Sequence, residues 1–221
     1  MLRSIREPVS ALTHGFSALF AIFGLVLMIQ AANQHGTIWH LISFVIYGIS
    51  MFLMFFSSAM YHWVQASPKT LQSLRRFDHM MIFVMIAGSF TPFCLVVLHG
   101  TLGWVLFGLM WGIAVMGILM KIVWMHAPRW LSTGAYVGMG WLGLVPVYSL
   151  YKALPLEGLS WLVAGGVLYT LGALVYGLKK PDPLPEVFGF HEIWHLFVMA
   201  GSFCHFWSIY RFVTFLKPTI A

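Results

Sequence analysis

Two histidines, His191 and His195, stand four residues apart in the stretch Phe188-Gly189-Phe190-His191-Glu192-Ile193-Trp194-His195. On a helix this spacing sets both rings on one face, one turn apart. Two imidazoles so placed are a ready bidentate site for a transition metal, zinc most often. With Glu192 between them the string also reads HExxH, the helix signature of zinc proteases, where the glutamate is the base. Glu192 lies about 100° round the helix from His191. It has a plainer alternative: pairing with a basic residue, or supporting the helix N-terminus. The surroundings also argue against a soluble protease, because the stretch opens an apolar segment that runs through Cys204, His205 and Phe206 to about Phe215.

The elements that position this pair belong to a membrane. The chain of 221 residues is 60% hydrophobic and only 8% charged, against about 25% charged in soluble domains. So few charges cannot cover a water-facing surface, and the class is an integral membrane protein. Twenty-one glycines and 37 aromatic residues (19 Phe, 10 Trp, 8 Tyr) suit close helix contacts and interfacial belts. Cys94 and Cys204 both fall inside apolar segments and read as buried thiols rather than a disulfide. The net charge of +6 is scattered over helix ends and forms no stripe, which excludes a nucleic-acid partner.

Seven apolar segments are long enough for a hydrocarbon core about 30 Å thick. They run over residues 10–32, 40–65, 77–98, 102–125, 131–152, 158–178 and 190–215. The expected fold is all-α, a polytopic bundle of seven transmembrane helices forming a single domain over 1–221. Connectors are short and punctuated: Asn33 to Gly36, Ser67-Pro68-Lys69, His99-Gly100, Ala127-Pro128-Arg129, Pro155, and Pro181 to Pro185. Arg3 and Arg6 precede the first segment as in a signal peptide, but its length and its His14 and Gln30 mark it as retained. With the N-terminus in the cytoplasm, Arg3, Arg6, Lys69, Arg75, Arg76, Lys121, Arg129, Lys179 and Lys180 lie at inner ends. Lys152, Arg211 and Lys217 lie at outer ends, nine against three of the 12 basic residues. That asymmetry places the C-terminus outside. Gly138-Met139-Gly140-Trp141-Leu142-Gly143 and Gly165-Gly166 read as helix-packing surfaces.

This topology gathers ionisable groups into one inner layer. Ser58 and His62 end the second segment, Asp78 and His79 start the third, and His191, Glu192 and His195 start the seventh; Glu7 and His14 start the first. Ionisable groups at membrane depth are costly and mark function. A lone interfacial histidine would be unremarkable; the shared layer is what points to a site. His62, His191 and His195 would supply three neutral imidazoles to zinc, with Asp78 completing the site directly or through a bound water. Three protein ligands and one open position are the arrangement of catalytic zinc. Ser58, one turn before His62, faces the same way as a donor or a supporting group. His79 sits on another face beside Asp78, and His205, about 15 Å deeper, reads as a hydrogen-bonded bundle residue. Glu7 is expected to pair with Arg3 or Arg6, and His14 has no assigned role.

These residues resemble the bacterial hemolysin III family, the prokaryotic branch of the progestin and adiponectin receptor (PAQR) family. The matching stretches are Glu7 with Thr13-His14-Gly15, Ser58 with Tyr61-His62, and Arg76 to His79 followed by Ala87 to Phe93. They continue in Gly138 to Trp141, His191 to His195 and Gly201 to Phe206, covering nearly the whole chain. The resemblance implies a seven-helix bundle with its N-terminus inside and a zinc site near the cytoplasmic face. It also implies ligation by His62, His191 and His195, with Asp78 approaching through water and Ser58 beside it. Related eukaryotic receptors and alkaline ceramidases are linked to hydrolysis of the ceramide amide bond. The first segment departs from the family at Ser10, where Asn is frequent.

The expectation is a multi-pass protein of the bacterial inner membrane that binds Zn2+ and hydrolyses a lipid amide or ester. Membrane lipids, or lipid-like amphiphiles, are its partners. Asp78 would be the base and Ser58 a helper donor. The alternative is a non-enzymatic protein in which zinc staples helices and the chain senses membrane state or lyses cells. A transporter is weaker, since no chain of charges crosses the bilayer.

Overall fold

The computed structural model describes residues 5–185 and 187–216; Arg3 and Lys217, counted above in the charge balance, lie outside them. Among the described residues there are eight α-helices. They are α1 (Pro8–His35), α2 (Ile38–Trp63), α3 (Pro68–Pro92), α4 (Gly100–Val123), α5 (Arg129–Trp141), α6 (Val147–Ala153), α7 (Leu156–Leu178) and α8 (Phe190–Arg211). A π-helical turn, Phe93–Leu98, continues α3, and a 3₁₀ turn, Val213–Phe215, follows α8. Six of these helices, α1 to α4, α7 and α8, are long and apolar enough to cross a membrane.

The expected fifth span, 131–152, is two helices. α5 has 13 residues and α6 has 7, with the 3₁₀ turn Leu142–Leu144 between them. Pro146 explains the break: it has no N–H to give and its ring collides with the carbonyl four residues back. α3 begins nine residues before the expected 77. Pro68 takes its first position and the Ser67 hydroxyl caps Thr70 N–H at 3.3 Å. Its first two turns are polar, so hydropathy alone misses them.

The apolar pattern is that of a protein in lipid. On α1, Phe16, Leu19, Phe20 and Phe23 face outward and are largely exposed. The opposite face, His14, Ser17, Ala18, Ala21, Gly24 and Met28, is buried. Small and polar residues therefore point into the bundle and large apolar ones away from it, the inverse of a soluble helix. The main core gathers Phe44, Tyr47, Met51 and Met54 of α2, Met81 and Met85 of α3, and Val198 and Ile209 of α8.

Helix ends near the histidines are tied to one another. The last carbonyls of α2 have no partner within their own helix. The start of α1 supplies them: Glu7 N–H donates to His62 O at 3.0 Å, and the Arg6 guanidinium donates to Tyr61 O at 2.7 Å. Arg6 also lies 4.2 Å over the Tyr61 ring. At α8, the orphan amides of Gly189 and Phe190 are taken by Glu192 at 2.8 Å and by Asp182 at 3.1 Å.

Candidate metal centre

α2 ends and α8 begins at the same level, which brings His62 beside His191 and His195. One ring nitrogen from each lies within 4.8 Å of the others. His62 Nε2 and His191 Nε2 are 3.3 Å apart. Two nitrogens bound to one tetrahedral zinc at about 2.0–2.1 Å would stand about 3.3–3.4 Å apart, so the pair fits such an ion closely. His195 Nδ1 is buried with no hydrogen-bond partner among the described residues. An orphaned buried nitrogen is costly unless something else occupies its lone pair, and a shared ion would.

The rings are held from behind. His62 Nδ1–H donates to the Glu7 carboxylate, which also pairs with Arg6 at 3.3 Å. That bond fixes the tautomer and leaves the Nε2 lone pair facing His191, the carboxylate–histidine support common behind metal ligands. Burial alone would raise the Glu7 carboxyl, but the bond to His62 and the charge of Arg6 outweigh it and hold it below its usual value. Sequence reasoning gave Glu7 only an arginine partner. The signal for more was its place immediately before Pro8, at the start of the helix antiparallel to α2.

His14, left without a role, stacks on His195 with ring centroids 3.6 Å apart and planes 10° from parallel. Phe55 meets its edge at 5.1 Å. His14 thus fixes the plane of the His195 ring. Glu192 turns away from the histidines: one oxygen caps Gly189 and the other accepts from the Ser10 hydroxyl at 2.7 Å. Its part is to clamp α8 to α1, and Ser10, fully buried, is half of that clamp.

Asp78 and Ser58 open onto the same cavity as His14, His191 and His195. Asp78 is not among the mutually close ligand atoms; its carboxylate lies 3.4 Å from His79 Nδ1. His79 spends that nitrogen chiefly on Arg75 O at 2.8 Å. Ser58 is buried one turn before His62. The cavity measures about 500 Å³, within the range of small-ligand sites. From the histidine layer it continues between α3, α4, α5, α6 and α7 along Ile82, Ile86, Phe90, Leu106, Leu150 and Leu162. The histidines, Asp78 and Ser58 therefore stand at one end of a space whose walls are mainly apolar. His205 lines its deeper part, its ring nitrogens buried beside the Leu162 backbone of α7. It packs edge-on to Tyr169 at 5.3 Å and beneath Gly165.

The glycines of α5 also differ from expectation. A Cβ at Gly134, Gly138 or Gly140 would meet nothing within 4 Å, and the same holds at Gly166. Only Gly143, against Phe90, and Gly165, against His205, are contact glycines in those runs. Gly140 and Gly166 instead line the cavity and widen it.

The profile of the family described as Haemolysin-III related matches residues 2–206. The chain is 39% identical to Hemolysin-3 of Bacillus cereus, over 96% of this chain and 94% of that protein. It is 40% identical to the Hemolysin-3 homolog of Bacillus subtilis (strain 168), over 93% and 94%. The human monocyte to macrophage differentiation factor is 26% identical over 94% of this chain and 84% of its own length.

Proposed function

The chain belongs to the haemolysin III family, and from that premise we propose that it is a zinc-dependent hydrolase of a lipid amide or ester. Its place would be the bacterial inner membrane. α5 and α6 would together complete a seventh crossing, with the N-terminus in the cytoplasm and the C-terminus outside. One observation carries the reading: a three-histidine cluster, two of whose members line a cavity together with Asp78 and Ser58, stands at one end of walls that are mainly apolar.

His62, His191 and His195 would hold the ion. When bound, zinc supplies Lewis acidity, which polarises a carbonyl and lowers the pKa of a water to about 7. The chain's own groups do the rest. Glu7 and His14 set the two outer rings so that their lone pairs converge. Asp78, a carboxylate on the cavity wall outside the ligand set, takes the proton of the attacking water at a carboxylate oxygen and returns it to the leaving nitrogen or oxygen as the acyl bond breaks. The Ser58 hydroxyl donates to the carbonyl oxygen as charge develops there. The apolar walls seat the acyl chain and keep bulk water from the reacting bond.

The test begins with metal content by mass spectrometry. Wild-type protein should carry about one zinc per chain and His191→Ala should lose it; equal content in both would sink the site. Asp78→Asn should keep the zinc and the fold but lose at least about a hundredfold in turnover of acyl amides or esters. A zinc-loaded wild type that releases no fatty acid from any lipid in a broad panel would instead leave the ion as a staple between α2 and α8.

A further inference from the structure

Lys121 is the most deeply buried cation of the described chain. It lies in the last turn of α4 and is 2% exposed. Its ammonium donates to the Ser132 hydroxyl at 2.6 Å, which uses one of three donors. The ion pairs among the described residues involve only Glu7 and Asp78, on Arg6, His62 and His79. No described carboxylate therefore offsets Lys121. The bias of Lys and Arg toward the inner side explains basic residues in water, not one turned inward onto a cavity; an unpaired buried ammonium is expensive.

Lys121 lines the cavity, as do Arg75 and Arg129, against Asp78 as the one carboxylate on that lining. The buried hydroxyl of Thr133, without a partner among the described residues, lines it too. The level of this group follows from two contacts between α3 and the α5 region. The Tyr136 hydroxyl donates to His79 O at 3.0 Å, and Gly143 packs on Phe90. Both partners advance together, so the two helices run the same way. Arg75 is four residues before His79, and Ser132 is four before Tyr136. Arg75 thus lies three residues, about 4.5 Å, nearer the start of α3 than Asp78, with Lys121–Ser132 close to the level of Arg75.

We propose that the cavity binds an anionic amphiphile whose phosphate or carboxylate headgroup sits on Lys121 and Arg75, with its acyl chain along Ile82, Ile86 and Phe90. This rests on the reading of the site as lipid-acting and deepens it: the substrate carries a negative charge about one helical turn from the bond at the histidine layer. Charge-assisted bonds from a desolvated lysine favour such a headgroup.

Binding to purified full-length protein in detergent, by displacement of a fluorescent acyl chain, tests it. Three ligands share one oleoyl chain: lysophosphatidate, oleate and neutral monooleoylglycerol. At least one anionic ligand should bind wild type about tenfold more tightly than the neutral one, and comparing the two separates phosphate from carboxylate. Lys121→Met should bring that ratio to within about threefold, while Lys121→Arg keeps it. Should Lys121→Met fail to fold, Arg75→Gln, at an exposed side chain, should lower the ratio about threefold. Equal binding of neutral and anionic ligands to wild type, or an unchanged ratio in the folded charge-removing variant, overturns the proposal. Repeating the measurement with His191→Ala separates this from the hydrolase reading. The preference should persist there without zinc or turnover, and a preference abolished with the metal would assign the anion to the ion and not to Lys121.

Discussion

The wall built by α1, α2, α3 and α8 and the wall built by α5 and α6 enclose the same cavity by opposite means. In the first, glycines are sites of close approach. A Cβ at Gly48 would stand 2.6 Å from Leu25 Cδ1 and 2.9 Å from Leu25 Cβ, and one at Gly88 would collide with Ser50. Polar side chains reach between helices there, as in Ser10–Glu192, Glu7–His62 and Tyr47–Ser202 O. In the second wall, the glycines of α5 face open space, a proline splits the helix, and Trp130, Leu144, Val145 and Tyr148 are exposed. The tight wall carries all three histidines of the cluster; the open wall contributes Ser132, Tyr136 and Gly140 to the cavity lining. Ligand geometry needs rotamers locked by packing, whereas a chamber for a flexible chain needs volume. The molecule assigns the two demands to different helices.

Breaking the support behind His62 should give the largest effect. Glu7→Ala removes the carboxylate on Nδ1 and frees the tautomer, and zinc affinity should fall about 10–100-fold. Glu7→Gln, which can still accept from Nδ1–H, should recover part of the loss. Competition with a chromophoric chelator measures both. Unchanged affinity in Glu7→Ala would show that the ring is held by its packing alone, and that the tight wall needs no polar latch.

How much of this was legible in the sequence follows the same division. The six long apolar helices and the convergence of His62, His191 and His195 could be read because hydropathy gives each span and successive spans joined by short connectors run in opposite directions. A residue's depth in the bundle then follows from its position along the helix. Depth does not give direction round the helix axis. That is why Glu7 and His14 were placed in the layer of the histidines without their partners, His62 and His195, and the link from Ser10 to Glu192 was missed. The break at Pro146 was visible as a proline inside an apolar run, but hydropathy averages across it. The α5 glycines misled for a related reason: small residues permit close packing, and equally leave a cavity when no helix comes to fill the space.

Overpacking the tight wall should cost less than losing the latch. Gly48→Ala sets a methyl against Leu25 Cβ, which no rotamer can move, so α1 and α2 must separate. A loss of about 1–3 kcal/mol is expected, read as a lowered midpoint of thermal or denaturant unfolding in detergent. Zinc affinity should drop with it, because the two helices meet again at Glu7 and His62. Lost stability with intact affinity would mean that the two halves of this wall yield independently.

The smallest effect, of opposite sign, belongs to the open wall. Gly138 lies inside α5, and a methyl group added there would find open space for 4 Å around it. Alanine relieves the conformational cost of glycine in a helix and meets no neighbour, so Gly138→Ala should raise stability by up to about 1 kcal/mol. Zinc content and ligand binding should not change, since Gly138 touches neither the histidines nor the cavity lining. A destabilisation approaching that of Gly48→Ala would show that α5 packs against another helix in the membrane. The contrast between the two walls would then disappear. If Gly138→Ala is stabilising but slows entry of the acyl-chain probe, the open wall must bend to admit its ligand, and the glycines of α5 would be retained for that motion.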